Sequence, residues 1–351
     1  PALDGVRALA VTAVLVFHAR PGWLPGGFLG VDAFFVLSGF LITGLLLAEA
    51  HDTATIRLAA FWARRARRLL PALLTVLITV AVTARYVLPA HNPASLRLDA
   101  LATLGYAANW RMIFHGGDYF ARTAPPSPLQ HTWSLGIEEQ FYLLWPLLVV
   151  LALRRTPTRS ARTTLLTLCV AGTAAAALLT AALYHPDDPA RVYYGTDTRA
   201  GALLTGCALA ILLTGRTVTR TRPLTIAAGC ATIALAAALI LAHGQSPWLY
   251  HGGLTAIALT VAVVLAHLTT TPHSPAARLL STRPLAWLGQ ISYGLYLWHW
   301  PLFAALNTDH TGLTATPLFT LRIAATITIA AASYHLVEQP IRQGTALRLV
   351  P

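Results

Sequence analysis

Arg7 and His18 stand eleven residues apart in VRALAVTAVLVFHAR, with only uncharged, mostly aliphatic residues between them. Eleven steps of 100° make three turns and about 20°, so on a helix both side chains share one face, about 16 Å apart along the axis. Asp4, one turn before Arg7, shares that face. A guanidinium grips anions, and an imidazole takes or gives a proton near neutral pH. An ionisable group that faces the interior of a membrane bundle is a functional candidate by default. The plainer reading is that Arg7 snorkels to headgroups while His18 caps the helix end. Their alignment favours a conduit with a cationic entrance and a titratable far end.

Other stretches carry chemistry of the same kind. In FWARRARRLLP (61–71), Arg64 and Arg68 stack on one face with Arg65 beside them. Such an array suits bidentate phosphate recognition, although any single Arg also serves as a charge that sets topology. In HTWSLGIEEQFYLLWP (131–146), Glu138 and Glu139 lie near a helix start, and helical neighbours diverge by about 100°. Glu138 shares its face with Tyr142 and Trp145 and is expected to orient His18 as a general base. Glu139 suits the free N–H groups of the helix start. Asp32, in GGFLGVDAFFVLSGFLIT (26–43), reads equally as a helix cap or a site carboxylate. Asp197 and Arg199 open a helix in YYGTDTRAGALL (193–204), and Tyr293, Trp298 and His299 fall in QISYGLYLWHWP (290–301). Glu338 and Arg342 close VEQPIR (337–342). Asp32, Trp133, Tyr142, Asp197, Arg199, Tyr293 and His299 are the candidates for holding a substrate. His243, His267 and His273 fall at helix ends and read as interfacial. Cys169, Cys207 and Cys230 sit inside apolar runs without CxxC or zinc spacing, so neither a disulfide framework nor a metal is expected.

The elements that must position these residues are membrane helices. Of the 351 residues, 56% are hydrophobic and only 11% charged, and the mean hydropathy is +0.59. A water-soluble domain of this length needs roughly a quarter of its residues charged. Apolar runs near twenty residues recur at 69–84, 138–153, 163–184, 223–242, 252–268 and 316–333, the length that spans a hydrocarbon core. The net charge of +12 comes entirely from arginine, and sixteen of the 25 arginines lie in five short stretches: 57–68, 154–162, 216–222, 278–283 and 342–348. Clusters between apolar runs mark cytoplasmic loops rather than a nucleic-acid surface, so no nucleic acid is expected as a partner. Five cytoplasmic clusters require an even number of crossings between successive ones. That parity gives ten: 5–20, 29–48, 69–89, 138–153, 163–184, 198–214, 223–243, 250–269, 285–306 and 315–337. The weakest run, 94–114, carries Arg97, Asp99, Asn109 and Arg111 and is expected not to cross. It belongs to a long outer insertion, 90–137, of a length that is usually functional. The expected fold is therefore an all-α polytopic bundle of about ten transmembrane helices in the plasma membrane, both termini cytoplasmic. One membrane domain spans 1–341, followed by a short basic tail at 342–351.

Taken in order, RALAVTAVLVFHA, GGFLGVDAFFVLSGFLIT, FWARRARRLLP, HTWSLGIEEQFYLLWP, TDTRAGALLTG, ISYGLYLWHWP and VEQPIR closely resemble the acyltransferase 3 family. The resemblance covers essentially the whole chain. It implies a ten-helix membrane enzyme that O-acylates sugars on surface polysaccharides, peptidoglycan, glycolipids or macrolides. It also implies acyl-coenzyme A as donor, acetyl-coenzyme A first among them, bound from the cytoplasm. By this resemblance Arg7 and His18 match the family's Arg-x10-His pattern, whose His is regarded as catalytic. Arg64, Arg65 and Arg68 match its paired-arginine motif, and Glu138 the Glu of its WSLxxE motif. The acceptor is then a carbohydrate or glycosylated small molecule, reached either directly or through an acyl-His18 relay. The competing class is a multi-pass transporter of a lipid-linked sugar, which also uses intramembrane Arg, His and Glu. Transporters commonly show repeats with matching interrupted helices, and no such symmetry is seen.

Overall fold

The computed structural model describes residues 1–87, 93–114, 127–155, 158–215 and 221–343. The chain opens with α1 (Ala2–Ala19), α2 (Gly30–Thr53) and α3 (Leu58–Val87), then the short α4 (Pro93–Leu104) and α5 (Ala108–Phe114). It continues with α6 (Trp133–Arg155), α7 (Thr158–Leu183), the single-turn α8 (Ala190–Tyr194), α9 (Thr196–Leu213), α10 (Thr221–Leu241) and α11 (Leu254–Thr270). The last third holds α12 (Pro275–Leu280), α13 (Arg283–Gln290), α14 (Ser292–Ala305), α15 (Thr308–Thr311), α16 (Ala315–Ser333) and α17 (Gln339–Arg342). No strand occurs among the described residues. Most of the expected tail, 344–351, lies outside them, as do 115–126 of the long insertion and 216–220 of the third arginine cluster.

Nine of the described helical stretches are long and apolar enough to cross a membrane: 2–19, 27–53, 58–84, 130–155, 160–183, 196–213, 221–241, 249–270 and 315–343. Their outward faces carry the exposed apolar residues that lipid requires, among them Ile78, Val82, Leu178, Ile226 and Ile233. Each stretch overlaps one of the ten expected crossings. The remaining expected crossing, 285–306, differs from expectation. It breaks at Ile291 (φ −89°, ψ 5°) into the eight residues of α13 and the fourteen of α14. Fourteen residues rise only about 21 Å. Before the break α13 lies against α1, and a Cβ at Gly289 would overlap the Asp4 backbone. The segment 94–114 is likewise interrupted. Tyr106 takes a left-handed φ of 53° between α4 and α5. This conformation costs a non-glycine residue about 1 kcal/mol. Gln140 holds it, donating from Nε2 to the Tyr106 carbonyl at 2.7 Å.

A closed polar ring fixes α5 to the bundle. Asn109, fully buried, donates to the Tyr194 carbonyl and to Thr196 Oγ1 and accepts from Gln140, while Thr196 donates back to Gln140 Oε1. Every buried amide in it is satisfied, so the ring costs little and specifies one docking. Arg111 of α5 pairs with Asp99 of α4.

The core forms where α2 packs on α9. Cβ atoms at Gly39 or Gly206 would overlap the Leu203 and Val36 carbonyls, so the backbones approach as small residues allow in membranes. The same pair of helices buries Asp32 and Arg199, which bond at 3.0 Å with both side chains 1% exposed. Trp62 of α3 donates to the Tyr142 carbonyl and Trp145 to Thr43, which tie α3 and α2 to α6.

Candidate functional site

Two polar loci follow the course of α1. At the first, α1, α2, α3, α6 and α14 enclose a cavity of about 290 Å³. Arg7, Arg65 and Arg68 line it, with Ser38, Glu138, Tyr142, Ser292, Tyr293 and Tyr296. Inside it Tyr142 donates its hydroxyl to Ser38 Oγ at 2.8 Å, and Ser38 donates to Glu138 Oε1 at 2.8 Å. The Arg65 guanidinium lies 3.5 Å over the Tyr142 ring, a cation–π stack that aims its remaining N–H groups. Arg65 Nε and Ser292 Oγ are buried without a hydrogen-bond partner. Buried donors of this kind are costly unless a further group meets them. Tyr293 donates to the Leu69 carbonyl at 3.1 Å and closes the floor against α3. Arg7, near the start of α1, has Asp4 3.7 Å away.

The second locus lies at the last turn of α1. His18, 7% exposed, meets His299 of α14, which is fully buried, with His299 Nε2 2.9 Å from His18 Nδ1. The Trp300 ring stands edge-on to His18 at 4.7 Å. His131, just before α6, packs edge-on against His299 at 5.4 Å and bonds through Nε2 to the Leu297 carbonyl at 3.1 Å. Tyr296 links the loci: its hydroxyl donates to the His131 carbonyl and meets Ser134, and its side chain lines the cavity.

The structure sorts the expected site residues into four groups. Arg7, Arg65, Arg68, Glu138, Tyr142 and Tyr293 converge on the cavity, and His18 and His299 meet beyond it. Asp32, Arg199 and Trp133 line neither and form a buried knot, with the Arg199 guanidinium 5.9 Å from the Trp133 ring. Arg64 and Asp197 stand apart. Arg64 points outward to Glu49 at 3.4 Å, because α3 turns its Arg65 and Arg68 edge inward. Asp197 takes a bidentate grip from Arg191 at 3.0 and 2.6 Å, and the bonded carboxylate holds the Arg191 guanidinium above its ordinary pKa. The carboxylate expected to orient His18 is also placed differently. Glu138 faces α2 and accepts from Ser38, while the His18 ring bonds to His299 instead. Ser38, His131 and Tyr296 were not read as site residues. The side-chain partners of Ser38 and the partner carbonyls of His131 and Tyr296 are set by packing that no local pattern records. Among the described residues no group of three or more His, Cys, Asp or Glu is arranged to hold a metal ion.

No solved structure matches the chain. Among curated proteins it is 40% identical to the peptidoglycan O-acetyltransferase OatA of Listeria monocytogenes, over 98% of this chain and 56% of that protein. It is 39% identical to the putative peptidoglycan O-acetyltransferase YrhL of Bacillus subtilis, over 97% of this chain and 55% of that one. It is 37% identical to the O-acetyltransferase OatA of Staphylococcus aureus, over 98% and 57%. The chain thus spans little more than half the length of these relatives. A family model described as an acyltransferase domain matches residues 1–335, so nearly the whole helical bundle, with the cavity and the histidine pair it holds, belongs to the acyltransferase 3 family.

Proposed function

We propose that this chain transfers an acyl group, acetyl in the first place, from acyl-coenzyme A to a hydroxyl of a cell-wall glycan. The observation that carries the reading is α1 itself. It lines an arginine-rich cavity with Arg7 and, eleven residues on, buries His18 against α14. A cavity of about 290 Å³ falls at the lower edge of ligand pockets, roughly 300–1,000 Å³. It therefore fits the slender arm of the donor rather than its whole length. The three arginines, with the unpartnered Arg65 Nε, fit the donor's phosphates as charge-assisted donors. The arm then runs along α1 toward His18, about 16 Å from Arg7. His18 takes the proton of the acceptor hydroxyl as the oxygen attacks the thioester carbonyl, and the coenzyme leaves as thiol. In a relay, His18 is acylated first and passes the group on. The arginine clusters between apolar runs support a cytoplasmic side for both termini and for entry of the donor. The names of the relatives support peptidoglycan as the acceptor.

The test is donor turnover by the full chain in lipid nanodiscs, given acetyl-coenzyme A and a peptidoglycan glycan fragment. Release of free thiol with acetylated glycan is expected, and its loss in His18→Ala. Label retained on His18 without acceptor favours the relay. Transport of a labelled lipid-linked sugar without thiol release overturns the reading.

A further inference from the structure

The hydrogen bonds around His299 determine where its protons sit. Its Nδ1 lies 2.6 Å from the Tyr296 carbonyl oxygen. A carbonyl oxygen only accepts, so this nitrogen carries hydrogen. The ring is fully buried among Tyr296, Phe303, Trp300 and His131, and its nitrogens face a carbonyl and an imidazole rather than a carboxylate. A buried cation needs a charged or strongly polar partner, so His299 is neutral and its lone pair is on Nε2. The hydrogen in the 2.9 Å bond between the rings therefore belongs to His18 Nδ1. We propose that His299 is a positioning residue that holds His18 in its Nδ1–H tautomer, which places the His18 lone pair on Nε2.

The surroundings reinforce that assignment. Tyr296, whose carbonyl anchors His299, is pinned at its other end by bonds to the His131 carbonyl at 2.8 Å and Ser134 at 2.7 Å. His131 donates from Nε2 to the Leu297 carbonyl, and its buried Nδ1 meets no partner, so this neighbouring ring is also neutral. A chain Ser134–Tyr296–His299–His18 thus runs from the start of α6 to the end of α1. A histidine base commonly owes its tautomer to the group bonded to its other nitrogen, and a wrong tautomer is costly to catalysis. Here the role falls to a neutral imidazole rather than to the Glu138 carboxylate. The inference deepens the acyl-transfer reading and rests on it for the use of Nε2 as the base, whereas the tautomer is measurable without any reaction.

Nitrogen-15 NMR of histidine-labelled full chain in nanodiscs tests it, the His18 signals being identified by their loss in His18→Ala. The Nδ1–H pattern is expected in the wild type and in Glu138→Gln. His299→Phe keeps a ring but offers no acceptor, so His18 should lose that pattern. Its kcat should fall within the about 10²–10⁴-fold range of a general-base contribution, with the donor KM unchanged. His299→Gln, whose amide oxygen accepts near the place of Nε2, should restore the tautomer and part of the rate. An Nε2–H pattern in the wild type, which needs no variant to fold, overturns the proposal. An unaltered tautomer in His299→Phe does the same. The expected tautomer together with full transfer by His18→Ala sinks the base assignment and leaves the positioning intact.

Discussion

Arg64 and Arg65 are neighbours in sequence with opposite surroundings, which makes them a controlled pair. Arg65 lines the cavity, stacks on Tyr142 and has a buried, unpartnered Nε, whereas Arg64 is exposed beside Glu49. If the cavity receives the donor's phosphates, Arg65→Ala removes charge-assisted bonds worth about 1.5–3 kcal/mol. The KM for acyl-coenzyme A should then rise about ten- to 100-fold, with kcat little changed. Arg64→Ala should leave it within about twofold, because exposed pairs contribute little. Equal effects at both positions in steady-state kinetics would remove the cavity from the donor path. The pair also shows the limit of spacing arguments. Arg64 and Arg68 share a stripe on an ideal helix, yet it is the Arg65–Arg68 edge that α3 turns toward α1 and α14.

At the scale of elements, the α2–α9 contact holds the molecule together, and glycines on α2 test it with opposite signs. A Cβ at Gly39 meets the Leu203 carbonyl, while one at Gly44 meets open space. Gly39→Ala should destabilise by about 1–3 kcal/mol through overpacking. Gly44→Ala should stabilise by about 0.5–1 kcal/mol through lost chain entropy. Unfolding titrations in mixed micelles report both, and equal shifts would deny the close approach. The same interface buries the Asp32–Arg199 pair. Arg199→Leu leaves a carboxylate in the core and should cost about 3–5 kcal/mol. Asp32→Leu combined with Arg199→Met should recover most of that loss. A double variant as unstable as the single one would give the pair a role beyond its own charge balance.

Over the whole molecule, crossing parity is the property to measure. Tyr86 and Phe114, at the ends of α3 and α5, are 80% and 81% exposed. Cysteines there should both react with a membrane-impermeant reagent from the same, outer side, since the broken α4 and α5 are each too short to span. Labelling from opposite sides would make 94–114 a crossing. The complementary pair tests the fourteen-residue α14. Ala276 and His310 are exposed before and after the α13–α14 unit. Cysteines there should label from opposite sides if that unit crosses, and from one side if nine helices span.

The sequence by itself determined the class of fold and the family. Apolar runs of twenty residues admit only helices across a bilayer, because every backbone group must be satisfied within its own segment. Motif order carried the family, since it depends on residue identity rather than contact. The 11-residue spacing of Arg7 and His18 placed both on one face of α1, because helix geometry is local. The partner of His18 was decided by tertiary structure. Glu138 was the expected partner, and only the packing of α14 on α1 brings a different group, the His299 ring, within 2.9 Å. The break at Ile291 was also hidden, because 285–306 reads as one apolar run, and the close approach of Gly289 to α1 appears only in the packed bundle. Periodicity records which face of a helix is apolar. It does not record which neighbour that face will meet, and the site is built from those meetings.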